Sequence, residues 1–459
     1  MKNRNSSYKS DNIYNNQNKL KGLKNSVNDT FTPLIVKQNP GEDHSDELPE
    51  ILFVSSYPPR ECGIATYSQD LIKALKNKFS NSFSIKVCAL ESGDTNYSYP
   101  TEVKYVLKTS SAESYEKMVI RINQDESIKM VLIQHEFGFF IKQESAFLRF
   151  LSELSKPVII VFHTVLPNPD MELKSKIINI GTFCNSIIVM TNNSAKILSD
   201  DYGLPAEKIS VIPHGTHLVQ HLNKELLKVK FGLEGRKVLT TFGLLSSGKN
   251  IETTLEALPL VIKTNPEVMF LIIGKTHPEV VKNEGEKYRN SLEASVILNK
   301  LTDNVKFINS YLALSELLEY LQLTDIYLFT TNDPFQAVSG TFAYAMSCAC
   351  PIISTPIPHA LEVLTEDTGI IFDFCNSQQL ANSVLKLLND EQLRKNLSTN
   401  GLQKIVSTAW ENSAISHTML FEKVAGDKIE VGIVCETLFE ESLETFIFFD
   451  KYVESWLSR

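Results

Sequence analysis

The feature that most constrains this chain is an alternation that runs once, stops at a charged connection and runs again. Short β-rich apolar runs, each ending in a polar residue or a glycine, are followed by longer stretches with helical periodicity. That rhythm belongs to βα units wound about a parallel sheet. In the first set, residues 51–55 read as a strand and 66–78 as a helix with Leu71, Ile72 and Leu75 on one face. Further strands are expected over 84–90, 103–106, 130–134, 158–162, 186–190 and 209–212. A helix over 194–201 is stopped by Gly203, with Pro205 beyond it. After a charged helical connection at 224–230 the second set gives strands at 238–242, 268–273, 305–308, 326–329, 351–353 and 370–372. Its helices are expected over 251–264, 279–300, 315–323, 342–347, 378–389 and 391–410.

Two such sets in 459 residues predict an α/β protein of two Rossmann-like doubly wound lobes. The N-terminal lobe is placed at 49–222 and the C-terminal lobe at 223–425. Ligands of open parallel sheets lie outside the carboxyl ends of the strands, so the cleft between the lobes is the expected site. Residues 1–48 are rich in Asn, Lys, Ser and Asp, and bury too little apolar surface to offset ordering entropy; disorder is expected there. Residues 426–459 place Leu443, Phe446, Phe449, Tyr452, Val453, Trp456 and Leu457 at roughly helical spacing. A docked terminal helix suits them better than a membrane-surface helix, because the acidic neighbours would be repelled by an anionic bilayer.

A net charge of -9 argues against a sequence-independent nucleic-acid binder while leaving room for a local basic pocket. The 7 cysteines include no CxxC pair, which fits a reducing compartment and offers no zinc site. No apolar run approaches the ~20 residues of a membrane span, and no signal peptide opens the chain. The expected location is the cytoplasm, with peripheral membrane contact left open.

Three stretches and two scattered sets of side chains carry candidate chemistry. The loop between the strand at 326–329 and the helix at 342–347 enters that helix through Ser339, Gly340 and Thr341. Unpaired N–H groups and the helix dipole make such an entrance suited to a phosphate, although Ser339 or Thr341 also serves as an ordinary N-cap. Gly63, just before the first helix, permits close approach of a phosphate or sugar, or is simply a turn residue. Gly243, Gly248 and Lys249 have the spacing of a GxxxxGK loop, but Asn250 replaces the Ser or Thr that would hold magnesium. Lys249 at a strand end suits a diphosphate, or is a solvated surface lysine. His135, His163 and His214 stand at three strand ends without the spacing of a zinc site, so they are assigned to hydrogen bonding. Glu136 and Glu362 are the carboxylates best placed near the cleft, one in each lobe, and form no matched pair of the kind a glycoside hydrolase needs.

Taken in order, YPPRECGIATYSQDL, VIIVFHT, ISVIPHGTHL, VLTTFGLLSSGKNIETTLEAL, VMFLIIG, LTDIYLFTT, YAMSCACPIIST and HALEVL resemble the family-4 retaining glycosyltransferases, also called group 1, of the GT-B fold. The resemblance implies a nucleotide diphosphate sugar as donor, a carbohydrate or lipid-linked acceptor, and no metal or other cofactor. It puts Gly63 and Gly243 on loops facing the donor phosphates, His163 at the transferred sugar, Lys249 on the diphosphate and Glu362 near the donor. His163, Lys249 and Gln336 are then the catalytic candidates. Ser339, Gly340, Thr341 and Tyr344 join the donor wall, while His135 and Glu136 lie on the acceptor side. Two departures stand out. Leu244 occupies a position where the family usually has Arg, which could cost about 1.5–3 kcal/mol of donor binding unless Arg60 or Lys275 supplies the cation. Gln336 and Tyr344 stand where the family usually has two glutamates. The expected activity is transfer of a hexose, mannose or glucose, with retained configuration. A phosphorylase, a sugar-nucleotide epimerase and an inactive sugar-nucleotide-binding scaffold are the alternatives.

Overall fold

Strands inside a parallel sheet are buried on both faces and therefore read as near-continuous apolar runs. Thirteen strands form among the described residues, the inner ones of this kind and those at the sheet edges more exposed. The computed structural model describes residues 48–93 and 97–426. Apart from their boundary residues, the segments expected to be disordered (1–48) or an amphipathic helix (426–459) lie outside the described residues. The first sheet contains β1 (Glu50–Ser55), β2 (Ser84–Glu91), β3 (Val103–Lys108), β4 (Ile128–His135), β5 (Val158–Phe162), β6 (Ser186–Val189) and β7 (Ile209–Val211). The second contains β8 (Lys237–Phe242), β9 (Val268–Ile273), β10 (Val305–Ile308), β11 (Ile326–Phe329), β12 (Ile352–Ser354) and β13 (Ile370–Ile371). Their orders are β3-β2-β1-β4-β5-β6-β7 and β10-β9-β8-β11-β12-β13, and every pairing is parallel.

In each sheet the winding reverses once, between β1 and β4 and between β8 and β11. At a reversal the two following loops diverge to opposite faces and leave a crevice at the strand ends. The loops after β1, β4, β8 and β11 hold most of the residues singled out from the sequence.

Several helices differ from expectation. The helix expected over 279–300 is two, Pro278–Glu284 and Lys287–Leu298, because Gly285 takes a φ of 66° that ends the first. The helix expected over 391–410 ends at Val406, and a separate helix runs Trp410–Ala425. Although 410–425 was placed with the C-terminal lobe, this last helix packs on the helix Gly63–Phe79 of the first lobe. Its Trp410, Ala414, Leu420 and Phe421 share a core with Phe53, Tyr67, Leu71 and Phe83. Where the chain crosses back it runs beside the outgoing connection: Thr216 N–H donates to Thr408 O at 2.9 Å, and Trp410 N–H to Thr216 O at 3.0 Å. The Trp410 ring lies where any side chain at Gly215 would have to go. Among the described residues no helix is long and apolar enough to cross a membrane.

Candidate active site

The loop after β8 is built to bring a cation against a helix end. Gly243 and Gly274 take φ values of 129° and 132°, and a Cβ on Gly274 would collide with the Gly243 carbonyl, so the two strand exits can lie this close only as glycines. Beyond Gly243 a short turn, Ser247–Lys249, is stitched to the loop after β11. Thr330 Oγ1 donates to Lys249 O at 2.8 Å, and Thr331 Oγ1 to Gly248 O at 2.9 Å. Asn250 closes the turn at a φ of 49° and donates through Nδ2 to Thr253 Oγ1 at 2.8 Å, which gives it a structural role in place of the missing magnesium ligand.

Lys249 Nζ lies 3.2 Å from the point a Cβ of Gly243 would occupy, and Thr341 Cγ2 lies 3.2 Å from the same point. The ammonium also faces the Phe329 ring at 5.7 Å, and among the described residues no carboxylate is within ion-pair distance of it. Burial without a counter-ion pushes its pKa down to about 8. Thr341 belongs to the helix Gly340–Ser347, whose N-cap Ser339 accepts from Phe342 N at 3.4 Å. The Ser339 N–H donates to His359 Nδ1 at 3.3 Å. The N–H groups of Gly340 and Thr341 have no acceptor among the described residues. A desolvated cation beside open helix N–H groups forms an anion site.

The first lobe supplies the other wall. Gln134 and His135 are consecutive on β4, so they point to opposite faces. Gln134 faces the cleft side and meets His163 Nε2 at 2.7 Å. His163 lies edge-on to Tyr67 at 5.0 Å, and Tyr67 to His214 at 5.1 Å. His214 Nε2 in turn lies 3.2 Å from the Cβ position of Gly340. His214 thus reaches the helix entrance, and His163 stands behind it, joined through Tyr67. Burial lowers the pKa of His163 to about 3 and of His214 to about 4, so both rings are neutral near pH 7.

His135 does not join them. It is 2% exposed and enclosed by the rings of Phe137, Phe140, Phe147 and Phe162, which removes it from the acceptor side expected for it. Glu136 does stand at the strand end. Thr164 Oγ1 donates to its Oε2 at 2.7 Å, Phe137 N to its Oε1 at 3.0 Å, and burial with the nearby charge of Asp333 raises its pKa. Gly63 is the exposed first residue of its helix, capped by Cys62 Sγ, and nothing lies within 4 Å of its Cβ position. Gln336 turns its amide to its own loop, donating to Val338 O at 3.3 Å.

Two residues expected at the donor span the lobes instead. Tyr344 donates to Asp70 Oδ2 at 2.6 Å, and the same oxygen meets His217 Nε2 at 3.2 Å. Glu362 accepts from the N–H groups of Asn192 and Asn193 at 3.0 and 2.6 Å, capping the first-lobe helix Asn192–Asp200. The two substitutes for the missing Arg are also engaged. Lys275 pairs with Glu61 across the cleft, while Arg60 lies over the Phe139 ring and donates to Leu90 O at 3.3 Å. Tyr67, Asp70, Gln134, His217 and His359 contact the candidate residues and were not singled out from the sequence. Tyr67 and Asp70 lie in YPPRECGIATYSQDL, His217 in ISVIPHGTHL and His359 at the start of HALEVL, so four of the five stood in stretches that carried a signal, and Gln134 did not.

The description "Glycosyl transferases group 1" matches residues 223–404, and "Glycosyltransferase Family 4" matches residues 63–220, so the two family models divide the chain at the boundary between its sheets. The chain belongs to the group 1 glycosyltransferases. Its similarity to spore coat protein SA of Bacillus subtilis is 28% identity over 44% of this chain and 52% of that protein. Mannosylfructose-phosphate synthase of Agrobacterium fabrum is 24% identical over 48% of this chain and 49% of that one. The chain spans about half the length of the curated relatives it matches. Among solved structures, Anabaena HepE in complex with UDP and glucose aligns with a TM-score of 0.65 at 17% identity, covering 81% of this chain and 100% of that one. Sucrose-phosphate synthase of Thermosynechococcus elongatus aligns at 0.64 and 14% identity, covering 82% and 98%. These likenesses establish the two-lobed GT-B fold of this group 1 glycosyltransferase.

Proposed function

We propose that this group 1 glycosyltransferase moves a hexose, mannose or glucose, from a nucleotide diphosphate sugar to a hydroxyl of a carbohydrate or lipid-linked acceptor, with retained configuration. The observation that carries the reading is Lys249, a desolvated cation without a carboxylate partner among the described residues, set beside the N–H groups of Gly340 and Thr341 that likewise lack an acceptor there. Charge grows on a departing diphosphate as the glycosidic bond breaks, and fixed donors aimed at that charge stabilise the transition state more than the ground state. Lys249 and the helix entrance supply those donors. His163, neutral and held by Gln134, orients a sugar hydroxyl, and Gln336, on the loop after β11, supplies a second contact to the sugar in this proposal. In a front-face departure the leaving diphosphate oxygen takes the acceptor proton, so the chain's contribution is positioning and electrostatics. Glu136 lines the acceptor side in this proposal.

HepE was solved with UDP and glucose, and relatives of this chain include a mannosylfructose-phosphate synthase and an alpha-monoglucosyldiacylglycerol synthase. These names support a nucleotide-sugar donor and both acceptor classes. Metal-free action on the cytoplasmic side, with peripheral membrane contact, belongs to the same proposal. A thermal-shift panel of nucleotides and nucleotide sugars tests it, because a ligand bound only by the folded state stabilises by RT ln(1 + [L]/Kd). A shift with one nucleotide diphosphate sugar, followed by transfer to an added acceptor, is expected. No shift with any uridine or guanosine donor would overturn it and favour the scaffold.

A further inference from the structure

We propose that Gln134 is a positioning residue that fixes His163 in one tautomer, leaving His163 Nδ1 as a hydrogen-bond acceptor for a hydroxyl of the bound sugar. This inference deepens the glycosyl-transfer reading and rests on it. Gln134 is 0% exposed at the end of β4, and its Oε1 lies 2.7 Å from His163 Nε2. The backbone locks the pair, since the His163 N–H donates to His135 O at 3.1 Å, one residue beyond Gln134. An amide oxygen can only accept, so it selects the imidazole form with the proton on Nε2. Nδ1 then carries the lone pair. It has no protein partner among the described residues, and unlike Gln134 Nε2 it is not sealed from solvent.

The surroundings keep this a matter of tautomer and not of charge. Burial is what holds the ring neutral; Tyr67 packs edge-on against it, and the neighbouring His214 and His135, themselves neutral near pH 7, offer no counter-charge that would favour an imidazolium. A neutral imidazole with a fixed lone pair can accept from a sugar hydroxyl. The other tautomer would present N–H to the same place and suit an anionic oxygen. Gln134 therefore decides which chemical group His163 can hold.

Long-range 1H–15N correlation on the histidine-labelled full chain reads the tautomer directly. The wild type is expected to show Nε2–H with an unprotonated Nδ1 between pH 6 and 9. Gln134→Met removes the acceptor at similar volume, mixes the tautomers and lowers kcat/KM roughly tenfold, the loss expected for one hydrogen bond. Gln134→Glu puts a carboxylate against Nε2 and raises the His163 pKa, so its activity should fall toward low pH along a limb the wild type lacks. An Nδ1–H signal in the wild type, or a wild-type pH profile in a folded Gln134→Glu protein, overturns the proposal. The spectrum is independent of turnover. The expected tautomer in a protein that binds no sugar nucleotide would instead refute the transfer reading, and with it the sugar hydroxyl as the partner of Nδ1.

Discussion

Replacing Lys249 with Met separates stability from ligand binding, because the two respond in opposite directions. Met keeps the apolar stem beside Phe329 and removes the charge. In the free protein that charge is desolvated and has no carboxylate partner among the described residues, so its loss relieves a penalty. For the donor it removes a charge-assisted hydrogen bond, worth about 1.5–3 kcal/mol, which is roughly 13- to 160-fold in Kd. At a ligand concentration of 100 times the wild-type Kd, binding stabilises the wild type by about 2.7 kcal/mol. With Kd raised about 100-fold the same concentration gives only about 0.4 kcal/mol. Calorimetric titration and thermal unfolding, each with and without the nucleotide diphosphate, measure both quantities. The pH dependence gives a second check. Lys249 titrates at about 8 in the folded protein, so donor affinity should weaken as pH rises above that value. Free-protein stability should instead rise with pH between about 8 and about 10.4, where the unfolded chain binds the extra proton. The Met variant should lack both trends. A variant that binds the nucleotide like wild type, or whose free form is less stable, would refute the reasoning.

Glu362→Ala removes the carboxylate that caps the helix Asn192–Asp200 from the opposite lobe. Urea unfolding should show a loss of about 0.5–2 kcal/mol, the usual value of an N-cap, and Glu362→Gln should recover part of it. Asp325 accepts from Val238 N at 2.8 Å and Lys228 Nζ at 2.9 Å inside the second lobe. Asp325→Ala leaves the buried Lys228 with only the exposed Glu225, 3.7 Å away, and should destabilise by about 3–5 kcal/mol. The lysines at positions 224 and 228 hold the Asp325 pKa below its ordinary value, so this stability is present above the unfolded carboxylate pKa and is lost as pH falls through the folded one. Acid unfolding curves of wild type and variant should therefore converge at low pH.

The strands were the most legible part of the fold. Those expected over 158–162, 268–273, 305–308 and 326–329 occur with those bounds; all but the edge strand at 305–308, which carries Lys306, are apolar throughout because both their faces are covered. Ser407–Ala409 contains no glycine or proline, so nothing local marks the break after Val406. Backbone bonds to Thr216, far away in the sequence, impose it. The same limit applies at the site. Lys249, His163 and the Ser339–Thr341 entrance stand at strand or helix ends and could be read directly. Gln134 and Tyr67 reach His163 only through the packing of the first lobe, and Asp70 meets Tyr344 only across the two lobes. His135 was misplaced because a strand reverses its side at every residue, and the last position of β4 points away from the cleft.

The return of Trp410–Ala425 to the first lobe has a consequence for the order in which the molecule is made. The first lobe is encoded first and completed last, since its core needs Trp410 and Phe421 beside Tyr67, Leu71 and Phe83. During synthesis the second lobe can finish while its predecessor still presents an apolar groove along the helix Gly63–Phe79. A fragment ending at the boundary between the sheets keeps that groove open. The shortest chain that closes it must extend through Ala425, or carry residues 410–425 fused directly to the first lobe.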